Sequence, residues 1–406
     1  MRKLSVPVLL WLVASVVSSI AATAAAASML RQEASSARAQ ERLEQALGAT
    51  TTTKKKAPSK KRAQAKPAIR ISGSFGLQVI YDDNVFRSPD FVIDEFRANT
   101  NPLKFTYETY DDLIVSPRIQ LSIGHRWIGS RDTEFRIGYT KWQYYQNGEK
   151  NNESWTFRLR QPTWGRDNLD LSYSYAPASL IRPLSDRPPF QPRSSTPLVW
   201  LPFKSTRNAF LVSYWHRFPK GILGRFDVGR TIRYYNRPFI EDDNWEWNGA
   251  AALSYGLSKA FRVAGEYTYS DVEARGTDTV GEKRETSDNG DASYKRDMFE
   301  LSLDYSPRGA LAFVSGVGLM GQYQAYYFTT NRSVLDDPLH VGRKDEVYVG
   351  ELTVDTSPLY RSIALQLGYR YSQRVSTLPG HLDPSIEDEE KDYKDNRTWL
   401  GATYTF

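Results

Sequence analysis

The residues with the most chemical content are charged side chains at even spacings. Arg118, Arg126, Arg136, Arg158 and Arg160 fall in one part of the chain, and Glu300, Asp304, Glu351 and Asp355 in another. In extended segments, residues two apart share a face, so each set would project from one side of a sheet. A guanidinium holds a carboxylate through two parallel hydrogen bonds, so an arginine wall suits anionic or sugar-like solutes. A basic wall facing an acidic wall across a narrow passage creates a transverse field that orients polar passengers. The competing reading is an ion-pair lattice that only hydrates and stiffens the wall. Arg70, Arg225, Arg233, Arg262 and Arg370 lie on the same faces, as do Glu134, Asp170, Asp227, Glu246 and Glu266, and they can pair across strands.

Other chemistry finds less support. Rim-sited hydrolysis needs a base beside a nucleophile or an acid. His125 and His216 fall near the turn side of their segments, while His340 and His381 lie in loops. His340 follows Asp336-Asp337 without the rest of an omptin-type constellation, and neither G-x-S-x-G nor HExxH is present. The expectation is that the chain is not an enzyme and has no cofactor. Asp82-Asp83 and Asp111-Asp112 would top neighbouring strands and offer carboxylates to Ca²⁺, but their spacing is unlike an EF-hand loop and they read as solvated loop charge. No metal site is expected. The chain has no cysteine, hence no disulfide framework and no thiolate ligands.

The elements that would carry these walls are strands. From Ile69 onward, apolar and polar residues alternate, as in Ile71, Gly73, Phe75, Leu77, Val79 and Tyr81 against Ser72, Ser74, Gly76 and Gln78. The pattern predicts strands at 69–81, 113–127, 133–145, 153–161, 169–176, 208–217, 225–235, 245–257, 261–271, 292–306, 312–327, 346–356, 363–373 and 397–406. Short turns join the second to the third, the fourth to the fifth and so on. Most intervening joins are long, notably 82–112 and the Pro-rich 177–207. Tyr81, Tyr144, Trp155, Trp245 and Tyr327 mark loop-side ends, and Trp127, Trp164, Phe218, Phe313 and Tyr360 mark turn-side ends. The expected fold is all-β: a transmembrane antiparallel β-barrel of about 14 strands, or 16 if loop 82–112 hides a hairpin, with short periplasmic turns and long extracellular loops. Backbone groups in hydrocarbon must all be paired, so a sheet there has to close. About eight strands suffice to fill a barrel with side chains. A wider ring must hold water or a folded-in segment, for which 82–112 and 177–207 are the candidates.

Residues 1–27 read as a secretory signal peptide: Arg2 and Lys3, an apolar run from Leu4 to Ile20, then alanines with A-x-A matches. Residues 28–68 read as a short periplasmic helix followed by a Lys-rich disordered linker, leaving 69–406 for the barrel. The basic pI of 9.1 belongs to this leading part. Residues 1–68 hold 12 of 53 Lys+Arg and 3 of 47 Asp+Glu, which leaves 41 basic and 44 acidic residues in 69–406. Nothing in that balance calls for nucleic acid.

Leu400, Ala402, Tyr404 and Phe406 alternate to the chain end. This resembles the C-terminal strand signature of outer-membrane proteins, which implies recognition of Phe406 by the barrel-assembly machinery. The segment Tyr81-Asp82-Asp83-Asn84-Val85-Phe86-Arg87-Ser88 resembles the Y-D-x-N-(V/I)-(F/Y)-R signature after the first strand of outer-membrane β-barrel porin families. That resemblance implies a conduit, in some members linked to exopolysaccharide export. Taken together, the sequence points to an outer-membrane, porin-like channel for hydrophilic solutes or an anionic exopolysaccharide, embedded in lipid and lipopolysaccharide. The alternative is a non-conducting structural or adhesin barrel with a plugged lumen.

Overall fold

The computed structural model describes residues 69–406 except 101, 103, 129–130, 164, 166, 186–199, 279–280, 285–286, 288–289, 308–312, 338, 359–361 and 379–390. The signal-peptide and linker readings, His381, Trp164 and Tyr360 lie outside the described residues. Fourteen strands run β1 (Arg70–Asp82), β2 (Asp112–His125), β3 (Thr133–Tyr144), β4 (Asn152–Pro162), β5 (Asn168–Ser185), β6 (Trp200–Arg217), β7 (Leu223–Tyr235), β8 (Asn244–Gly256), β9 (Phe261–Ala274), β10 (Tyr294–Tyr305), β11 (Val314–Phe328), β12 (Lys344–Thr356), β13 (Ile363–Thr377) and β14 (Tyr393–Thr405). Each pairs antiparallel with its sequence neighbours, and β1 pairs with β14 to close the ring.

Closure follows from the alternation. Ile71, Ile119, Leu171, Val212, Val228, Leu253, Leu301, Leu319, Leu352 and Leu367 all point outward and are exposed. Apart from shifts at the start of β11 and toward the loop end of β5, the register carries one parity around the ring, from Gly76 opposite Arg118 to Gln78 opposite Gly401. An apolar outer belt over a fully paired backbone is the only sheet that hydrocarbon tolerates. The architecture is a transmembrane antiparallel β-barrel. Outer-face aromatic pairs tie neighbouring strands, such as Tyr139–Trp155 at 4.6 Å and Tyr267–Phe299 at 4.8 Å between ring centroids.

Two loop expectations change. Among the described residues, 82–112 hold no hairpin, and the strand number there is fourteen. They hold helix α1 (Asp90–Ala98) instead. Pro89 precedes it, Asp90 complements the positive end of its dipole, and Asn99 closes it in the left-handed region, its N–H reaching the carbonyls of Glu95 and Phe96. The second change concerns 177–207. The described residues of this stretch are strand: β5 continues to Ser185 and β6 begins at Trp200, with register shifts at Ala176/Ser179 and Leu180/Arg182. Prolines argue against a strand when the ladder needs their N–H. Here Pro183 and Pro202 sit opposite each other in a projecting two-stranded ribbon, and the ladder runs on past them.

Candidate functional site

The register puts Arg118 on β2, Arg136 on β3 and Arg158 and Arg160 on β4 all on the inward face. Glu300 and Asp304 on β10 and Glu351 and Asp355 on β12 face inward as well. In a ring of fourteen, β3 and β10 are seven strands apart and stand opposite. Arg126 differs from the others: it follows the end of β2, in the turn, and its Nε donates to Asp132 at 3.1 Å.

The side chains do not form two bare walls. Arg136 donates to Glu134 on its own strand at 2.5 Å. Arg158 and Arg160 both pair with Asp170 on β5, the latter at 2.9 Å. Asp170 is almost fully buried, and Trp215 Nε1 also donates to it at 2.9 Å. Arg225 bridges Asp227 at 2.9 Å and Glu266 at 2.5 Å. Glu246 lies between Arg233 at 2.9 Å and Arg296 at 3.0 Å. Two carboxylate-free neighbours of one charge would repel, so strand-to-strand pairing is the low-energy arrangement of a crowded lining.

What is left over defines the residual field. Arg118 donates to the Gln78 amide oxygen at 2.6 Å and is in no ion pair among the described residues. Glu300 accepts from Gln322 and Asp355 from Gln366, each at 2.9 Å, and Asp304 is likewise outside any ion pair among the described residues. Glu351 stands 3.9 Å from Arg370. The arginine arc is therefore largely compensated, while the acidic arc on β10–β12 keeps more of its charge.

The sequence reading missed Arg207. It lies on β6, faces inward, and is in no ion pair among the described residues. It was hidden in the stretch read as loop. Also missed were Arg296 and the Asp345 pair with Arg343 and Arg374, although the even spacing of Arg296 and Glu300 was available as a signal.

Above the lining, segment 83–111 packs against strand ends. Phe86 stacks on Tyr107 at 4.6 Å and on Phe105 at 5.7 Å, and meets Phe96 edge-on at 5.1 Å. Leu180 of β5 and Tyr144 of β3 join this cluster. Lys150, in the β3–β4 connection, is buried, and its Nζ donates to the carbonyls of Val85 at 2.8 Å and Ile181 at 3.3 Å. Burial pushes this amine down to about 8, with Arg87 adding to the effect and Asp82 opposing it.

The acidic pairs are not solvated charge as their sequence suggested. Asp82 and Asp112 are buried. Asp112 accepts from the backbone N–H groups of Tyr145, Gln146 and Asn147 at 2.8–3.1 Å, capping the β3–β4 connection. Asp82, Asp83 and Asp395 converge, but Arg397 reaches Asp82 at 2.9 Å and Asp395 at 3.0 Å, and Asn396 occupies Asp83. The described histidines are separated. His125 packs edge-on to Trp127, His216 Nδ1 is 3.0 Å from Asp167 on the turn side, and His340 Nδ1 is 2.7 Å from Asp337 among the loops.

No family model matches the chain, and no curated protein matches it in sequence. Among solved structures, the chain is similar to the outer-membrane channel DcaP of Acinetobacter baumannii, with 12% identity, 85% of this chain and 99% of that one covered, and a TM-score of 0.43. It is also similar to OmpT, an outer-membrane protein of Vibrio cholerae, with 8% identity, 84% and 100% covered, and a TM-score of 0.42. A bacterial polysaccharide outer-membrane secretin matches at 8% identity, with 82% and 98% covered and a TM-score of 0.35.

Proposed function

We propose that the chain is an outer-membrane, porin-like channel that passes hydrophilic solutes, anionic glycans among them. The observation that carries the reading is a closed ring of fourteen strands with hydrocarbon-compatible side chains outside and arginines, carboxylates, serines and threonines inside. Such a lining has no function in a barrel packed dry, because buried charge without water or partners is costly. Arg118, Arg136, Arg158 and Arg160 would line the path opposite Glu300, Asp304, Glu351 and Asp355, with Arg126 at its turn-side rim. Lipid and lipopolysaccharide would surround the belt, and the barrel-assembly machinery would read Phe406.

Purified protein in planar bilayers tests this reading. The expected result is stepwise conductance, with an anion-to-cation permeability ratio that falls when Arg118, Arg136, Arg158 and Arg160 are all changed to Gln. A barrel that inserts yet never conducts contradicts it. That outcome supports the second reading, a plugged structural barrel, which the aromatic cluster of segment 83–111 favours.

A further inference from the structure

We infer that the β3–β7 wall of the lumen holds a binding recess for an oxyanion carried by a hydroxylated solute, with Arg207 as its free cation. The inference deepens the channel reading and depends on it only for how solute arrives.

The recess is produced by a row of short side chains in direct register. Gly138 of β3 faces Thr156 of β4, which faces Ser174 of β5, then Ala209 of β6 and Thr231 of β7. One long side chain in that row would fill the space, and none is there. The row one step toward the turns holds Arg136, Arg158, Ser172, Leu211 and Gly229. Arg207 stands one step toward the loops. The result is a cavity of about 460 Å³ with guanidinium groups on both sides of a hydroxyl-lined floor. Thr156 and Asn248 lean over the two glycines. A Cβ on Gly138 would come 2.4 Å from Thr156 Oγ1, and one on Gly229 would come 2.3 Å from Asn248 Oδ1.

The cations around this recess are unevenly matched. Arg136 is satisfied by Glu134, and Arg158 shares Asp170 with Arg160. Among the described residues Arg207 has no carboxylate at ion-pair distance, and its neighbour across the β6–β7 ladder is Arg233, whose own carboxylate is Glu246. A guanidinium with unused donors beside a hydroxyl-lined recess is what a carboxylate or phosphoryl group would satisfy with charge-assisted hydrogen bonds. Thr156, Ser174 and Thr231 can meet the hydroxyls of the same solute. A second recess of about 420 Å³ adjoins the first through Arg158, Ser172 and Leu211 and ends on Trp215. The Arg225 guanidinium lies over the Trp215 ring at 5.4 Å, so this recess too presents a cation at its end.

Isothermal titration of the full chain in detergent micelles tests this with three probes: trigalacturonate, maltotriose and inorganic phosphate. Trigalacturonate is expected to bind and maltotriose to bind at least tenfold more weakly. Arg207→Gln is expected to weaken trigalacturonate at least tenfold, and Ala209→Phe, which fills the recess, to do the same. Arg230→Gln, on the outer face beside Trp247, is expected to change nothing. Phosphate binding as tightly as trigalacturonate, with the same dependence on Arg207, supports the oxyanion station and assigns it to a free anion. Equal binding of acidic and neutral sugars, or anion binding that survives both substitutions, overturns the inference. Conductance of the same preparation is read separately. Binding without conductance removes the channel reading alone, and conductance without selective binding removes the recess alone.

Discussion

The buried amine of Lys150 makes closure of the loop-side cluster depend on pH. Its Nζ reaches two backbone carbonyls, Val85 and Ile181, and lies 5.2 Å from the Tyr107 ring centroid. No carboxylate within ion-pair distance offsets its charge among the described residues. Burial lowers its pKa from 10.5 to about 8. When segment 83–111 lifts, the amine meets water and regains its ordinary value. Between about pH 8 and 10.5 the open state therefore holds more protons than the closed state, and closure gains stability as pH rises. Below that window both states are protonated and closure carries the full penalty. At about 1.4 kcal/mol per unit, the fall from 10.5 to about 8 amounts to about 3.5 kcal/mol, or about three-hundredfold in the opening equilibrium. Hydrogen exchange of peptides from 83–111, corrected for the intrinsic rate at each pH, measures it. Protection should rise between pH 8 and 10.5 in the native chain and stay level in Lys150→Met. Protection that falls with pH, or a native profile as flat as the variant's, would refute the reasoning.

Two further substitutions probe the wall. Asp170→Asn strips Arg158 and Arg160 of their shared carboxylate, so anion preference in bilayers should increase while stability to urea in micelles drops by about 3 kcal/mol, the scale for breaking a buried pair. A Cβ on Gly368 would come 2.0 Å from the Trp399 ring, which lies over it inside the barrel. Gly368→Ala should displace that indole, break its 3.1 Å hydrogen bond to Gln366 and lower stability by about 1–3 kcal/mol in the same urea titration.

The legible part of this molecule is the part with a two-residue period. In β1, every apolar residue from Ile71 to Val79 lies on one face because the outer surface admits nothing else, and that constraint is written into the composition. The ends of β5 and β6 were not legible. Beyond the membrane the constraint lapses, prolines become tolerable, and Arg207 was lost to an apparent loop. Helix α1 was invisible because its large apolar residues, Phe91, Val92, Ile93 and Phe96, span too short a stretch to set a helical period. The faces carrying Arg136, Arg158 and Glu300 were readable from parity, but the choice of partners was not. Nothing in sequence spacing tells Arg158 and Arg160 to converge on Asp170 while Arg118 takes a glutamine. That choice depends on cross-strand register and side-chain reach.

The absence of native cysteine allows a direct measurement. Single cysteines at Leu319, Met320, Gly321, Gln322 and Tyr323 of β11, exposed in intact outer membranes to a small charged thiol reagent, report which side chains meet water. Cysteines at 320 and 322 should react, and those at 319, 321 and 323 should not. Uniform labelling along the strand, or reaction at the odd positions only, would contradict a water-lined lumen behind an oil-facing wall.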